Sequence, residues 1–499
     1  MGGSGLQTAG AATTTGGAAP AAEPAGVAAA RGPLGVTFGF SGTTLKGGPY
    51  NNQGNAIYNK PMFRPDGNEA HFWDSYVEEL NTAGVSFVAP TIRGHIPSNP
   101  QNANSAGDTT KLADLVAAIR RSGSGLKVSA LDDTAASLTD HKNLDKHGKG
   151  GYDPKFDVGD KNGTGEGGYK YIWDYNLRHY FEAVPADMRQ TIDGRPVIYE
   201  WSLGDAMFTN QGNGNAAAML RYVKDRAKAE FGVDPFMIVD TAWLNEDPAV
   251  ADVADGVDSW FNMSQPYTME TFKGKKFAAT VPGFHFASGS TNMNIDPDHG
   301  NTFKKNLAAT VDGGAAITLV EGFTDWEENA AMWRGRNAPY DQTHYDYPGQ
   351  MLNILRQCGP NPYPAHRTIQ GETADSYAKN GAGNGNPVYR DDGLTVVRTE
   401  PNNGWAVGST ASGDWVQWNE VALGGTSADI TLRMSTDQAG RQVRVVVDGK
   451  AGPVTAVPAA GWENYRTVNA GHFTFTQNTV HTVRVEFVNG GLNLDSWSS

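Results

Sequence analysis

The sequence predicts a (β/α)8 barrel of the TIM type followed by an antiparallel β-sandwich. Between residues 34 and 364, eight short apolar runs alternate with segments of helical periodicity, which is the pattern of a parallel sheet covered by helices. From residue 365 onwards, strand-like segments with Gly and Asn turns replace the helices. The length of 499 residues accommodates one large barrel with an appended domain. A Rossmann-like open sheet is the alternative for the first domain.

The segment 1–33 precedes both domains and is predicted to be disordered. It consists almost entirely of Ala, Gly, Thr and Pro, which cannot build a packed core. It lacks a basic start followed by a continuous apolar stretch, so it does not resemble a secretory signal peptide. We therefore divide the chain into a disordered segment at 1–33, a barrel at 34–364 and a sandwich at 365–499.

The eight predicted strands are mostly apolar without strict alternation, as expected when both faces of a sheet are buried. They lie at 34–40, 85–90, 126–132, 196–202, 235–240, 257–261, 277–282 and 315–321. Apolar residues recur every three to four positions between them, which predicts helices. These helices lie around 72–80, 112–119 and 303–311, and at 170–183, 214–230 and 347–357. The connection between strands six and seven is short.

The strand-like runs of the second domain alternate and recur at short spacings, which is typical of an antiparallel β-sandwich. They lie at 414–421, 429–436, 441–449, 465–471 and 481–488.

The charge balance and the single cysteine exclude several classes of protein. Forty Lys and Arg residues against 54 Asp and Glu residues give a net charge of −14, which argues against nucleic acid or an anionic membrane as partner. Cys358 is the only cysteine, so an internal disulfide and a multi-thiolate zinc site are both excluded. No apolar run approaches the roughly 18 residues of a membrane span. A neutral, hydroxyl-rich ligand fits this composition, and we expect a monomer.

Acidic residues follow many of the predicted strands, where a barrel of this type carries its reactive groups. They are Asp132, Asp133, Glu200, Asp240, Asp258, Glu321, Asp325, Glu327 and Glu328. Tryptophans accompany them at positions 201, 243, 260, 326 and 333. Carboxylates handle hydroxyls and protons while flat rings cover the apolar faces of pyranose rings, so this combination favours a sugar ligand.

The densest acidic cluster lies directly after strand eight and contains Asp325 and Glu328. Glycosidic cleavage needs two carboxyl groups in different protonation states, and an i, i+3 pair on a helical turn faces one way. The alternative is an acidic first turn of a helix, which is stabilised by the helix dipole and has no chemical role.

The segment T-D-W-E-E at 324–328 resembles the N-E-W-x-E and W-N-D-x-x-E motifs of glycoside hydrolase families 99 and 71. Segments 72–94, 127–133 and 194–201 are also similar to those families. The predicted barrel as a whole most resembles an uncharacterised bacterial domain family of the same broad group. The resemblance implies a retaining, endo-acting enzyme for α-mannan or α-glucan, with Asp325 and Glu328 as the catalytic pair beside Trp326. Thr324 in place of Asn, Asp in place of the first Glu, and the additional Glu327 depart from the α-mannanase motif.

Further residues at the same end of the barrel are predicted to contact the substrate. We expect catalysis to need no cofactor. They are Glu200, Asp133, Asp240, Trp326, Glu321 and His285.

Four ordered motifs of the second domain resemble carbohydrate-binding modules of family 6. They are I-Q-G-E-T-A-D at 369–375, the Trp-rich run at 403–418, G-W-E-N-Y at 461–465 and L-N-L-D-S-W at 492–497. The resemblance implies a structural Ca²⁺ held by Glu372 and Asp495, and a glycan site formed by Trp405, Trp462 and Asn493. Oxygen ligands suit Ca²⁺, and tryptophans exposed on loops are costly unless they contact a ligand.

The sequence therefore predicts a secreted glycoside hydrolase tethered to a polysaccharide or oligosaccharide by its second domain. A catalytically inactive glycan-binding or adhesion protein is the main alternative, and a polysaccharide lyase is a third. The glycan, its linkage, the stereochemical outcome, endo or exo cutting and the choice of acid between Asp325 and Glu328 stay open at this level.

Overall fold

The computed structural model describes residues 31–38, 58–63, 69–92, 111–133, 155–160, 168–204, 207–288, 291–326, 328–337, 344–379, 390, 392–399 and 404–499. The segment 1–33, apart from its last three residues, lies outside these ranges, as does Glu327. Residues Arg31–Ser499 form one compact unit.

The N-terminal domain is built on a mixed sheet of eleven strands, with three short two-stranded ladders beside it. Its strands are β1 (Leu34–Phe38), β2 (Asn59–Pro61), β3 (Phe87–Ile92), β4 (Lys127–Val128), β5 (Ala130–Asp132), β6 (Phe156–Asp157), β7 (Thr191–Ile192), β8 (Arg195–Glu200), β9 (Phe208–Thr209), β10 (Phe236–Asp240), β11 (Gly256–Asp258), β12 (Tyr267–Phe272), β13 (Lys275–Thr280), β14 (Phe284–Ser288), β15 (Thr291–Ile295), β16 (Ile317–Val320) and β17 (Gly335–Asn337). The main sheet has the order β11-β10-β8-β5-β3-β1-β16-β13-β12.

All eight predicted strands are present in this sheet. They correspond to β1, β3, β4 with β5, β8, β10, β11, β13 and β16, and neighbours among them pair in parallel. The carboxyl ends of these strands therefore meet at one edge of the sheet, which we call the carboxyl edge. Those of the predicted acidic residues that the structure describes lie at or just beyond this edge.

The predicted (β/α)8 barrel is wrong. The sheet is mixed, because β12 pairs with β13 in the antiparallel sense. Strand β11 lies close to β12 and β13 without a described ladder between them, so the sheet is nearly closed rather than closed. Within the described ranges, strands and helices do not alternate eight times.

The departure occurs between β11 and β13, where a barrel would place a crossover helix. The chain instead forms the hairpin of β12 and β13, in which Phe272 pairs with Lys275. The two turn residues, Lys273 and Gly274, have φ values of 47° and 79°. Two successive positive φ values are typical of the type I′ turn that joins antiparallel strands, so local turn chemistry explains the missing helix.

The helices pack their apolar faces on the sheet. They are α1 (Glu69–Ala83), α2 (Leu112–Ser122), α3 (Gly168–Tyr171), α4 (Arg178–Ala183), α5 (Asn215–Phe231), α6 (Thr241–Glu246), α7 (Asn301–Leu307) and α8 (Gln350–Cys358). Residues Ile172–Leu177 form a π-helical turn between α3 and α4. The predicted face of α2 is confirmed, since Leu112, Leu115, Val116 and Ile119 are buried. A second apolar cluster, including Phe87, Tyr199 and Leu319, comes from alternate residues of the strands.

The C-terminal domain is all β, and its strands pair in the antiparallel sense as predicted. Its strands are β18 (Thr368–Gln370), β19 (Ser376–Ala378), β20 (Val396–Thr399), β21 (Gly404–Val407), β22 (Trp415–Leu423), β23 (Ser427–Thr436), β24 (Arg441–Val447), β25 (Lys450–Val457), β26 (Gly461–Thr474), β27 (Thr479–Phe487) and β28 (Asn493–Ser498). They form a sheet of order β20-β21-β28-β23-β26, with β18 on β28, and a sheet of order β19-β22-β27-β24-β25. Their alternate side chains fill one apolar core.

A buried ion network joins the two domains. Arg334 donates to Glu79 on α1 at 3.1 Å and to Asp375 at 2.6 Å, and all three side chains are almost fully buried. Helix α8 contacts β22, where the Asn353 amide donates to the Asn419 carbonyl at 2.8 Å. Buried charges persist only when they are paired, so these contacts fix the segment around Asp375 against the N-terminal domain.

Within the described residues, no helix is both long and apolar enough to cross a membrane.

Candidate functional site

Three carboxylates follow strand β16 on a single loop. Glu321 comes directly after the last residue of β16, and Asp325 and Glu328 follow on the same loop. One oxygen of each lies within 4.8 Å of an oxygen of the other two. In the part of the chain that the structure describes, this is the only such group of three His, Cys, Asp or Glu side chains. The structure thus brings Asp325 and Glu328 together and adds Glu321 to them.

Hydrogen bonds to strand β1 and within the loop hold this carboxylate trio in place. The Thr37 hydroxyl donates to Glu321 Oε2 at 2.7 Å and accepts from the Gly322 amide at 2.7 Å. Gly322 has a φ of 91°, a conformation that side-chain-bearing residues rarely adopt. Asp325 Oδ1 accepts from the Glu328 amide at 3.0 Å, which closes the turn that carries both predicted catalytic groups.

The environment of Glu321 favours its protonated form. Burial and the nearby charge of Asp325 raise the pKa of Glu321 to about 8, with a smaller contribution from Asp133, while the hydrogen bond from Thr37 opposes the rise. At neutral pH Glu321 is therefore mostly protonated.

His285 lies next to this trio, as its position after strand seven predicted. Its backbone amide donates to the Glu328 carbonyl at 2.7 Å, and its ring stacks on Tyr58 with centroids 5.4 Å apart. The Asn329 amide group links the two by donating to the His285 carbonyl and accepting from the Tyr58 amide.

A second pair of carboxyl groups lies further along the carboxyl edge. Asp132 ends β5 and Glu200 ends β8, and the two residues are direct partners in the parallel register. The Asn176 amide donates to Asp132 Oδ1 at 2.8 Å. Burial, together with the charge and hydrogen bond of Asp132, raises the pKa of Glu200 well above its ordinary value. Glu200 therefore favours its protonated form.

Asp240 and Asp258 form a third acidic pair at the ends of β10 and β11. Asp240 accepts from the Ala242 amide at 2.8 Å, which caps α6, and from the Trp260 amide at 3.0 Å. Burial and then Asp240 raise the pKa of Asp258 well above its ordinary value. Both Asp240 oxygens are engaged by backbone amides, so the structure gives this predicted substrate contact a local structural role.

The tryptophans of this edge divide into exposed and buried rings. Trp201 and Trp260 are partly exposed and stack with centroids 5.4 Å apart. Trp243 and Trp326 are each 2% exposed and belong to the hydrophobic core. Trp326, a predicted substrate contact, therefore has a packing role, whereas Trp201 and Trp260 present ring surface to solvent.

The predicted glycan residues of the C-terminal domain also differ in exposure. Trp405 is 3% exposed and belongs to the hydrophobic cluster of the N-terminal domain, with the Arg398 guanidinium 5.3 Å from its ring centroid. Its ring is thus a packing element. Trp462 is partly exposed, and Asn493 at the start of β28 is buried.

The two predicted calcium ligands lie near a third carboxylate that comes from the N-terminal domain. Glu372 is buried, and its Oε2 has no hydrogen-bond partner within the described chain. Burial, then Glu78 of α1 and then Asp495 raise its pKa well above the ordinary value. Asp495 Oδ2 contacts Arg433 at 2.8 Å and the Ser496 hydroxyl at 2.9 Å.

Three contributors to these sites were not anticipated from the sequence. Thr37 and Asn176 position acidic residues that lie far from them along the chain, and Glu78 reaches the acids of the other domain. Their positions near a strand end or on a helix are the only sequence features that could have indicated a role in a site. Many other residues occupy such positions, so these features do not single them out.

The fold and these sites define a two-part protein, in which an α/β domain carries buried acids at one sheet edge and an all-β domain follows it. A family model described as "Domain of unknown function (DUF5010)" matches residues 30–376, and the chain belongs to this family. A model described as "Carbohydrate binding module (family 35)" matches residues 390–499, so the C-terminal region is a carbohydrate-binding module. The matched module family is 35, whereas the sequence motifs resemble family 6. Neither match concerns glycoside hydrolase families 99 or 71.

Comparisons with individual proteins add little to these family matches. No curated protein matches the chain. Similar solved structures include the C-terminal family 6 module of the laminarinase LamC from Zobellia galactanivorans, at 16% identity over 27% of this chain and 97% of that chain, with a TM-score of 0.22. The module CsCBM6-3 from Clostridium stercorarium, solved with cellobiose, is 21% identical over 27% of this chain and 93% of that chain, with a TM-score of 0.22.

Proposed function

We propose that this protein is an extracellular, monomeric glycoside hydrolase whose C-terminal module holds it on a polysaccharide. The observation that supports hydrolysis is the carboxylate trio of Glu321, Asp325 and Glu328, with oxygens within 4.8 Å of one another. Retaining glycosidases use carboxyl groups about 5 to 5.5 Å apart, whereas inverting enzymes need about 6.5 to 9.5 Å for an intervening water. The spacing favours retention.

The hydrogen bonding supports a division of roles within the predicted pair. Asp325 is stabilised as a carboxylate by the Glu328 amide, which suits the nucleophile. Its carboxylate attacks the anomeric carbon while the Glu328 carboxyl protonates the departing glycosidic oxygen, so the C–O bond breaks and a glycosyl ester forms. Water then attacks the same carbon, Glu328 takes the proton, and the ester bond to Asp325 breaks. Protonated Glu321 limits the negative charge around the pair.

The resemblance to families 99 and 71 supports α-mannan or α-glucan as the substrate. The test is incubation of the full chain with both polysaccharides, followed by measurement of new reducing ends and of the anomer released first. Retained α-configuration supports the proposal, and the absence of new reducing ends from every polysaccharide contradicts it.

A catalytically inactive glycan-binding protein is the second candidate. The observation that favours it is the hydrogen bond from the Glu328 amide to Asp325, since an acidic residue that only closes a turn makes the same bond. This candidate predicts that the chain is retained on an insoluble polysaccharide without releasing any product.

We also propose a structural Ca²⁺ bound by Glu372 and Asp495. The unpartnered, buried Oε2 of Glu372 fits such an ion, because buried carboxylates require a counter-charge and Ca²⁺ prefers oxygen ligands. The ion would offset the repulsion that Glu78 and Asp495 exert on Glu372.

A further inference from the structure

A small pocket opens at the carboxyl edge beside the pair Asp132 and Glu200. Its volume is about 10 Å³, which is room for roughly one water-sized group. Glu200 and Asp132 line it together with the apolar side chains of Trp201, Trp243 and Met207. The pocket therefore admits a single small polar group rather than a whole sugar ring.

The polar lining of this pocket also includes Asp133 and Ser202, and its buried side-chain oxygen without a described partner belongs to Glu200. Glu200 is 3% exposed, and its Oε1 has no hydrogen-bond partner among the described residues. The other half of the carboxyl group interacts with Asp132, whose Oδ1 is held by the Asn176 amide. Since the pKa of Glu200 is raised well above its ordinary value, Glu200 is the protonated partner, and its hydrogen bond to Asp132 leaves Oε1 as a neutral acceptor.

The chemistry of the pocket selects the group that can enter it. An acceptor oxygen left unpaired in an apolar environment costs about 1 to 3 kcal/mol, so a hydrogen-bond donor is favoured there. A carboxylate offers only acceptors and would meet the negative charge of Asp132. A hydroxyl group is a donor, is neutral and has the size of a water molecule.

Trp201 provides the surface on which the rest of such a ligand can lie. Its ring is partly exposed and is supported by the stack on Trp260 and by the bond from Trp243 Nε1 to its carbonyl at 2.6 Å. Flat, rigid rings of this kind cover the apolar face of a pyranose.

We propose that this pocket is a sugar subsite in which Glu200 Oε1 accepts a hydrogen bond from one hydroxyl of a neutral glycan. The proposal rests on the proposed function and specifies its substrate class, because it selects neutral sugars over glycans of uronic acids.

The test is calorimetric binding of mannotriose, maltotriose and trigalacturonate to the full chain. In Glu200→Leu we expect affinity for at least one neutral trisaccharide to fall by about tenfold, because the acceptor is lost. In Glu200→Gln we expect affinity within about threefold of the unmodified chain, since the amide can donate to Asp132 and still offer its oxygen. Asp252→Asn, at an exposed position outside every proposed binding site, is the control.

Equal affinities of Glu200→Leu and the unmodified chain for both neutral sugars would overturn the subsite. Glu200-dependent binding of trigalacturonate would do the same. Should Glu200→Leu fail to fold, Ser202→Leu provides a second test, because Ser202 lines the pocket and a larger side chain there fills it. Binding is measured independently of turnover, so the subsite and the hydrolase proposal can fail separately. Glu200-dependent binding without new reducing ends would contradict hydrolysis but not the subsite. Hydrolysis that is unaffected by Glu200→Leu would contradict the subsite but not hydrolysis.

Discussion

Nη1 of Arg334 lies 2.6 Å from Oδ1 of Asp375, across the boundary between the two domains. The same carboxylate accepts from the backbone amides of Gly349 at 3.0 Å and Asn419 at 2.8 Å. Asp375 thus accepts hydrogen bonds from the last part of the N-terminal domain and from strand β22. One buried carboxylate organises both sides of the boundary.

Replacing Arg334 with Ala leaves Glu79 and Asp375 buried without their shared cation. We expect the free energy of unfolding to fall by about 3 to 5 kcal/mol, the usual cost of breaking a buried ion pair from one side. Urea unfolding followed by circular dichroism measures it. Arg121→Ala is the matched control, because the ion pair of Arg121 with Asp74 is exposed on both sides and contributes at most about 1 kcal/mol. Equal losses in the two variants would contradict the role of the network.

The variants Asp325→Asn and Glu328→Gln keep the shape of the carboxylate trio and replace the proposed nucleophile and the proposed acid. We expect each variant to lower turnover by about 10³-fold or more, because an amide can neither attack as a carboxylate nor donate an acidic proton. We expect no change in the melting temperature, since the side-chain oxygen of the Asp325→Asn variant can still accept the hydrogen bond from the Glu328 amide. Release of reducing ends from α-mannan and α-glucan is the measurement, with Asp252→Asn on the exposed surface as the control. Turnover near that of the unmodified chain in either variant would rule out this catalytic pair.

Trp405 and Trp462 should respond in opposite ways to replacement by Ala. Trp405→Ala removes a buried ring, so we expect a loss of about 3 to 5 kcal/mol in stability. Trp462 is partly exposed, so Trp462→Ala should leave the melting temperature unchanged and weaken retention on polysaccharide in affinity electrophoresis. A stable Trp405→Ala variant that no longer binds polysaccharide would reverse this assignment.

Two buried carboxyl groups should make stability decrease as the pH rises. Burial is the main cause that raises the pKa of Glu78 and of Glu321 from 4.5 to about 8. Below about pH 4.5 both groups are protonated in the folded and unfolded states. Between pH 4.5 and 8 the folded state binds more protons, so the free energy of unfolding falls across this window and levels off above it. Urea unfolding at pH 5 and pH 8 in the presence of a chelator should show a smaller difference in Glu78→Gln and Glu321→Gln than in Glu463→Gln.

Calcium binding by Glu372 should release protons, since its raised pKa keeps it protonated until the ion binds. We expect Ca²⁺ to raise the melting temperature of the full chain, and calorimetry in two buffers of different ionisation enthalpy to show the proton release. Glu372→Gln should lose both effects, while Glu463→Gln keeps them. A melting temperature that responds to Ca²⁺ equally in both variants would exclude Glu372 as a ligand.

Much of the central sheet could be predicted because its strands are short apolar runs flanked by polar residues. The sequence analysis did not predict the turn at Lys273 and Gly274, where two positive φ values allow a hairpin in place of a crossover helix. A Lys-Gly dipeptide is compatible with many turns, so the pattern alone could not distinguish the two.

The candidate sites were predictable where their members are neighbours along the chain. Asp325 and Glu328 are three residues apart, so their proximity follows from a single turn. The pairing of Asp132 with Glu200 depends on strand order, and the approach of Glu78 to Glu372 depends on how two domains meet. Neither relation produces a periodic pattern in the sequence. The burial of Trp405 also depends on how the two domains meet, so it could not be predicted either.

The ion network around Arg334 also determines how the protein can be divided for experiments. A fragment that ends at residue 364 would keep Arg334 and Glu79 without Asp375. The complementary fragment would carry Asp375 without its cation. The match to the DUF5010 family extends to residue 376, just beyond this aspartate. Recombinant halves cut between residues 364 and 365 should therefore be prone to aggregation, and a soluble N-terminal fragment would have to extend past Asp375.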